Sequence, residues 1–269
     1  MSVGESSRVR VIRMGRIRRT VHLVTAIVAL AWNARVAAQT DEIQVYDAQI
    51  AAPGVFNLTL HDNYTPNGSS TAAHPGAIAP DGSWIGVAEW AYGVTPWFEA
   101  GLYFPLYSRL ADRAIAYDGF KLRALFVSPD AAERAVFYGV NFEFSFNTAH
   151  WNQKRYTSEI RPIIGTHVGR FDFIFNPILD NSYDGIAHLE FAPETRVAMR
   201  VSDRVKLAVE EYDALGTITR FSPASKRSHQ LFSVIDLATR YVGIEFGIGA
   251  GLNEATDHRV IKLILTKDL

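Results

Sequence analysis

Leu189-Glu190-Phe191-Ala192-Pro193-Glu194-Thr195-Arg196-Val197-Ala198-Met199-Arg200-Val201 decides the fold. Leu189, Phe191, Pro193, Val197, Met199 and Val201 share one side of an extended chain, interrupted only by Thr195. Glu190, Glu194, Arg196 and Arg200 fall on the other. Strict alternation marks a strand with one apolar and one polar face, because successive side chains of a strand point opposite ways. The length is as telling. Soluble strands average about 5–6 residues, whereas a tilted strand crossing a bilayer needs about 9–11.

The pattern recurs. Phe98, Ala100, Leu102, Phe104 and Leu106 form one face, with Glu99, Gly101, Tyr103 and Pro105 opposite. The same reading gives twelve strands, over residues 54–64, 83–94, 98–108, 118–127, 135–147, 156–168, 171–179, 188–201, 205–212, 228–237, 242–252 and 259–269. Tight turns at 95–97, 169–170, 202–204 and 238–241, and a slightly longer one at 128–134, alternate with longer segments at 65–82, 109–117, 148–155, 180–187, 213–227 and 253–258. Short periplasmic turns alternating with longer outer loops are the rhythm of a bacterial membrane barrel. The reading is an all-β, closed antiparallel transmembrane barrel of about 12 strands, placed in the cell outer membrane. A soluble β-sandwich is the rival, and the sustained short–long rhythm weighs against it.

The first 38 residues read as a cleaved signal peptide. Arg8, Arg10, Arg13, Arg16, Arg18 and Arg19 make a basic start, residues 21–32 an apolar run, and Val36-Ala37-Ala38 a small-residue cleavage site. The run is too short to span a bilayer as a helix, and Met14 is an alternative start. Residues 39–53 are expected as a periplasmic N-terminal segment, and 54–269 as the barrel. The leader holds seven arginines and one acid, so 20 basic and 27 acidic residues follow it, a net charge of −7. That balance argues against a nucleic-acid partner. The chain has no cysteine, which excludes disulfides and thiolate chemistry.

If the apolar faces meet lipid, the charged faces meet the lumen. Glu99, Lys121, Arg123, Glu143, Glu159, Arg161, Asp172, Glu190, Glu194, Arg196, Arg200, Lys206, Glu210, Glu245 and Lys262 are the expected lumen-lining residues, both signs being present to pair across the barrel. Trp84, Trp90, Trp97, Tyr92, Tyr107 and Tyr241 are expected near strand ends, where amphipathic rings favour the interface. No G-x-S-x-G, H-E-x-x-H or His-rich metal motif occurs. Ser228-His229 are adjacent along a strand and so face opposite sides. No catalytic residue, metal ligand or cofactor is assigned.

Tyr92-Gly93-Val94-Thr95-Pro96-Trp97-Phe98-Glu99-Ala100-Gly101-Leu102-Tyr103-Phe104-Pro105 resembles the strand–turn–strand signature of an outer-membrane transporter family of the phenol meta-degradation pathway. The style extends over residues 52–269, although the Thr95-Pro96-Trp97 turn departs from the family's more usual charged turn. The resemblance implies a porin-like uptake role and transfers no catalytic residue. The C-terminal row Ile261, Leu263, Leu265, Leu269 is similar to the strand signal read by barrel-assembly machinery, though that signal usually ends in an aromatic. The expected function is passage of small molecules, aromatic or otherwise apolar ones among them, through a charged lumen. The expected partners are outer-membrane lipid, the assembly machinery and a small solute. The alternatives are a lipid-modifying or hydrolytic barrel enzyme and a closed structural barrel.

Overall fold

The computed structural model describes residues 42–109 and 114–269. The leader expected over residues 1–38 lies outside the described residues.

Twelve long strands form the wall: β1 (Phe56–Asn67), β2 (Trp84–Thr95), β3 (Phe98–Arg109), β4 (Ile115–Val127), β5 (Val136–Asn147), β6 (Tyr156–Val168), β7 (Phe171–Asn181), β8 (Glu190–Ser202), β9 (Val205–Ala214), β12 (Ser228–Ala238), β13 (Gly243–Gly251) and β14 (Arg259–Asp268). A miniature hairpin, β10 (Gly216–Thr217) and β11 (Arg220–Phe221), decorates the loop after β9. Each long strand pairs antiparallel with its neighbours, and β1 pairs with β14 from Asn57 against Asp268 to Asn67 against Arg259. The sheet is therefore closed. Hydrocarbon supplies no hydrogen-bond partners, so only a sheet without free edges satisfies its backbone there.

All twelve expected strands are present, with ends shifted by no more than three residues. The tight turns lie at one end of the barrel and the longer loops at the other. Gly169, with φ +63°, makes the two-residue turn between β6 and β7.

The alternation sorts the side chains as physics requires. On β7, Phe171, Phe173 and Phe175 are exposed on the outer surface, while Asp172, Ile174, Asn176 and Ile178 are buried inside. Leu60, Leu102, Leu122, Phe142, Ile160, Val197, Leu207 and Ile248 continue the outer apolar belt. Aromatic pairs border it: Phe56 with Tyr92 and Phe98 with Phe126 near the tight-turn end, Tyr64 with Trp84 and Phe120 with Phe146 near the loop end.

Two expectations need correction. The zigzag of β3 does not run unbroken to Leu106. Pro105 has no N–H for the ladder, and the register against β4 shifts between Tyr103 and Leu106. Phe104 consequently stays outside, while Leu106 turns inward and is 1% exposed. Trp90, expected near a strand end, sits in mid-strand. Its indole Nε1–H donates to the Phe104 carbonyl at 3.0 Å, a bond available beside this bulge. A polar group in the apolar belt thus keeps a partner.

The face assignment is testable. Leu102→Arg places a charge in the lipid belt at a cost of about 2–4 kcal/mol near midplane. It should abolish the heat-modifiable gel mobility of the membrane fraction. Arg200→Leu, at an exposed position near the tight-turn end of β8, should leave that mobility intact.

Candidate functional site

The lumen is occupied. Residues 42–52, expected on the periplasmic side, run from the tight-turn end of β1 into the barrel, and Glu42, Ile43, Val45, Tyr46, Ala48 and Ala51 are buried there. The chain is anchored where it enters. Gly54 N–H donates to the Gly93 carbonyl at 2.8 Å, Gly93 N–H to the Val55 carbonyl at 3.1 Å, and Ala51 N–H to Glu99 Oε2 at 2.6 Å. Gly93 is required by this close approach, since a Cβ there would lie 2.3 Å from the Ala51 and Ala52 carbonyl oxygens.

Tyr46 fills the mid-barrel. Asn176 grips its backbone from both sides: Oδ1 accepts from Tyr46 N–H at 2.7 Å, and Nδ2 donates to its carbonyl at 3.1 Å. The ring lies between two guanidinium groups, 4.5 Å from Arg161 and 5.7 Å from Arg123. Its hydroxyl meets the Tyr103 hydroxyl at 2.5 Å. Arg161 also donates to the Gln44 carbonyl at 2.8 Å, and the Lys262 ammonium to the Ile43 carbonyl at 3.1 Å. Val45, Tyr46 and Ala48 pack on Leu125, Phe137, Ile163 and Ile174, whereas Ile43 packs on Ala198, Phe232, Val234 and Val260. The segment therefore bridges opposite walls.

Two glycines make room for this core. A Cβ at Gly165 would stand 2.0 Å from the Phe137 ring, and one at Gly249 would stand 2.4 Å from the Phe232 ring. Both rings lie flat on the inner wall, fully buried. Beside the plug, a cavity of about 60 Å³ lined by Gln44, Asp47, Asp172, Arg196, Lys206 and Glu245 remains. That is space for a few waters at most.

The loop end is narrowed as well. Trp151, on the loop after β5, is buried against Ile85, Val87, Tyr103 and Leu106 inside the barrel. The 68–83 loop does not supply the plug. It is tied to the loop after β13, where Ser69 N–H donates to Asp257 Oδ1 at 2.8 Å. Burial holds the Asp257 carboxyl above its usual range.

Most of the expected lumen charges are brought together in clusters. Arg123 bonds Glu89 at 2.8 Å and also Glu99. Arg161 binds Glu159 at 2.7 Å and Glu194 at 3.3 Å. Lys121 reaches Glu143 at 3.2 Å. Asp172 lies between His167 at 2.7 Å and Lys206 at 3.1 Å. Arg196 binds Glu210, Asp236 and, at 3.1 Å, Glu245, while Lys262 binds Glu210 and, at 2.6 Å, Glu245. Glu190 and Arg200 stand apart from these clusters, exposed at the two ends of β8.

The histidines are dispersed. His61 is buried beside Glu89, whereas His188 is exposed in a short 3-10 turn. A serine, an acid and an imidazole do meet at the loop end. Asp118 accepts from the Ser108 hydroxyl at 2.5 Å and contacts His150 Nε2 at 2.6 Å. The carboxylate stands between hydroxyl and imidazole, the reverse of the order that activates a nucleophile.

No family model matches the sequence, and no curated protein matches it. Solved structures match the fold. The COG4313 outer membrane channel from Pseudomonas putida F1 superposes with a TM-score of 0.58 at 12% identity, covering 85% of this chain and 100% of that one. This chain is an outer-membrane-type β-barrel. LpxR from Salmonella typhimurium, at 0.40 and 9% identity over 78% of this chain and 99% of that one, is a more distant barrel. OccK11 from Pseudomonas aeruginosa, at 0.36 and 10% identity over 86% and 74%, is another.

The charge clusters predict their own cost of disruption. Arg196→Met leaves Glu210, Asp236 and Glu245 without their shared cation, and breaking a buried pair costs about 3–5 kcal/mol. Urea unfolding of the protein in lipid should show a loss of that size. An Arg240→Met change, on the exposed turn after β12, should leave the midpoint unmoved.

Proposed function

We propose that this barrel is a channel for small solutes, closed in the conformation described and opened when residues 42–52 move. The observation that carries this reading is the plug itself. The wall closes through the β1–β14 pairing without any contribution from residues 42–52. Sheet closure therefore does not require the plug. Its removal would leave a tunnel lined by Glu99, Arg123, Glu143, Arg161, Glu194, Arg196 and Lys262. Barrels of about 8 strands are filled by their own side chains, and those of about 16–18 leave an aqueous pore. Twelve strands lie between, a width that one extended peptide can block and its departure can open.

The contacts suit a removable element. The plug is held through backbone hydrogen bonds, one tyrosine ring and small apolar side chains, and the wall charges remain paired with one another when it leaves. A lumen carrying both signs favours polar solutes of either charge over apolar ones. The resemblance to the phenol meta-degradation transporters rests on the Tyr92–Pro105 hairpin, and it agrees with an uptake role in the outer membrane. A channel is also favoured over an enzyme by the order of Ser108, Asp118 and His150, in which the carboxylate and not the imidazole meets the hydroxyl.

Planar-bilayer recording tests the proposal. Wild-type protein should show small, infrequent openings. Deletion of residues 42–50 should raise conductance several-fold, and adding Trp151→Ala should raise it further. Gly93→Val, whose side chain collides with the Ala51 and Ala52 carbonyls, should increase open time while the protein stays heat-modifiable. A plug-deleted barrel that remains non-conducting would overturn the channel reading.

A further inference from the structure

Glu42 is a buried plug side chain whose chemistry the preceding account leaves unused. It is 2% exposed, and neither carboxylate oxygen has a hydrogen-bond partner. A buried carboxylate without partners is costly and calls for a proton or a cation. Its neighbours are chosen for a cation. His61 on β1 and Glu89 on β2 stand beside it on the wall, and one ligand atom from each of the three residues lies within 4.8 Å of the others. All three residues are buried. His61 and Glu89 are held in register by the β1–β2 ladder, which places His61 against Val87 and Thr59 against Glu89.

We infer that Glu42, His61 and Glu89 form a binding site for a divalent transition-metal ion of the zinc type, which ties the plug to the barrel wall. The donor set is one imidazole and two carboxylates; zinc accepts both donor types, and its open sites pair three protein ligands with a fourth position for water. The spacing fits. Zinc bonds of about 2.0–2.2 Å in a tetrahedron put neighbouring ligand atoms about 3.3–3.6 Å apart. His61 Nε2 and Glu89 Oε2 stand 3.0 Å apart. Glu89 is also oriented from behind, since Arg123 bonds its other oxygen at 2.8 Å. Such outer contacts fix ligating carboxylates in metal sites. The charge balance agrees: the Arg123 guanidinium stands against three carboxylates, Glu42, Glu89 and Glu99, so a dication brings the group close to neutrality. No sequence motif announces the site, because its ligands come from the plug and two strands rather than from one helix.

The test uses full-length protein, stripped with a chelator in detergent and then titrated with Zn²⁺ alone. Calorimetry and metal analysis after gel filtration should give one tightly held zinc per chain. Glu42→Gln should weaken binding at least tenfold. It alters the plug and not the sheet, so heat-modifiable mobility should be retained. His61→Asn should do the same. Asp213→Asn should leave the tight zinc in place; it alters a second, half-exposed acid–histidine cluster of Glu211, Asp213 and His229. Two results would overturn the site. One is stripped wild-type protein that, after titration with Zn²⁺, carries no zinc through gel filtration. The other is zinc lost with Asp213→Asn but kept with Glu42→Gln. Neither outcome depends on conductance, so the site and the channel proposal fail separately.

Discussion

The absence of hydrogen-bonding partners in hydrocarbon governs this molecule. It forces the sheet to close, and closure divides every strand into a face that must be apolar and a face free to be polar. Phe171, Phe173 and Phe175 can stand outside only because Asp172, Ile174 and Asn176 stand inside. The exceptions obey the same rule. Where Pro105 breaks the ladder, the Phe104 carbonyl receives the Trp90 indole N–H, so the apolar belt holds no stranded acceptor at that point.

The enclosed face then faces its own constraint. Its charges are shut away from water, so they are stable only in groups. Arg196 and Lys262 share Glu210 and Glu245, and Arg123 joins Glu89 to Glu99. These networks cross from strand to strand and fix the inner wall independently of the plug. The plug exploits what remains: unfilled acceptor and donor capacity at Asn176, Arg161 and Lys262, and the flat faces of Phe137 and Phe232.

The wall was legible in the amino-acid order because alternation is a local property. Leu189–Val201 declares its two faces with no knowledge of its neighbours. The bulge at Pro105 was only half legible: the missing N–H is visible in sequence, but the direction of the slip depends on which residues of β4 lie opposite. The plug was not legible. Glu42-Ile43-Gln44-Val45-Tyr46 alternates like a short strand, yet nothing local says that its partners are Asn176 and Arg161, more than a hundred residues away. Ile43 and Val45, apolar in a stretch expected to sit in periplasmic water, were the available signal. Trp151 was similarly hidden, because a tryptophan in an outer loop reads as an interfacial anchor until the loop is seen to turn inward.

A plug that arises from the strand-proximal end of the chain has a consequence for motion. Residues 42–52 are tethered to the wall at Gly54 and Val55, which are bonded to Gly93. Displacement therefore pivots at the tight-turn end instead of requiring the segment to thread the barrel. In the proposed opening, the contact of Ala51 with Glu99 lies nearest the pivot, and that of Ile43 with Lys262 lies farther along the described segment. The described contacts farthest from the pivot in that opening are those around Glu42, the one buried carboxylate among the described plug residues. A group placed there has the longest lever over the lumen. The chemistry around Glu42 therefore acts, in the proposed opening, farther from the hinge than the contact of Ala51 with Glu99.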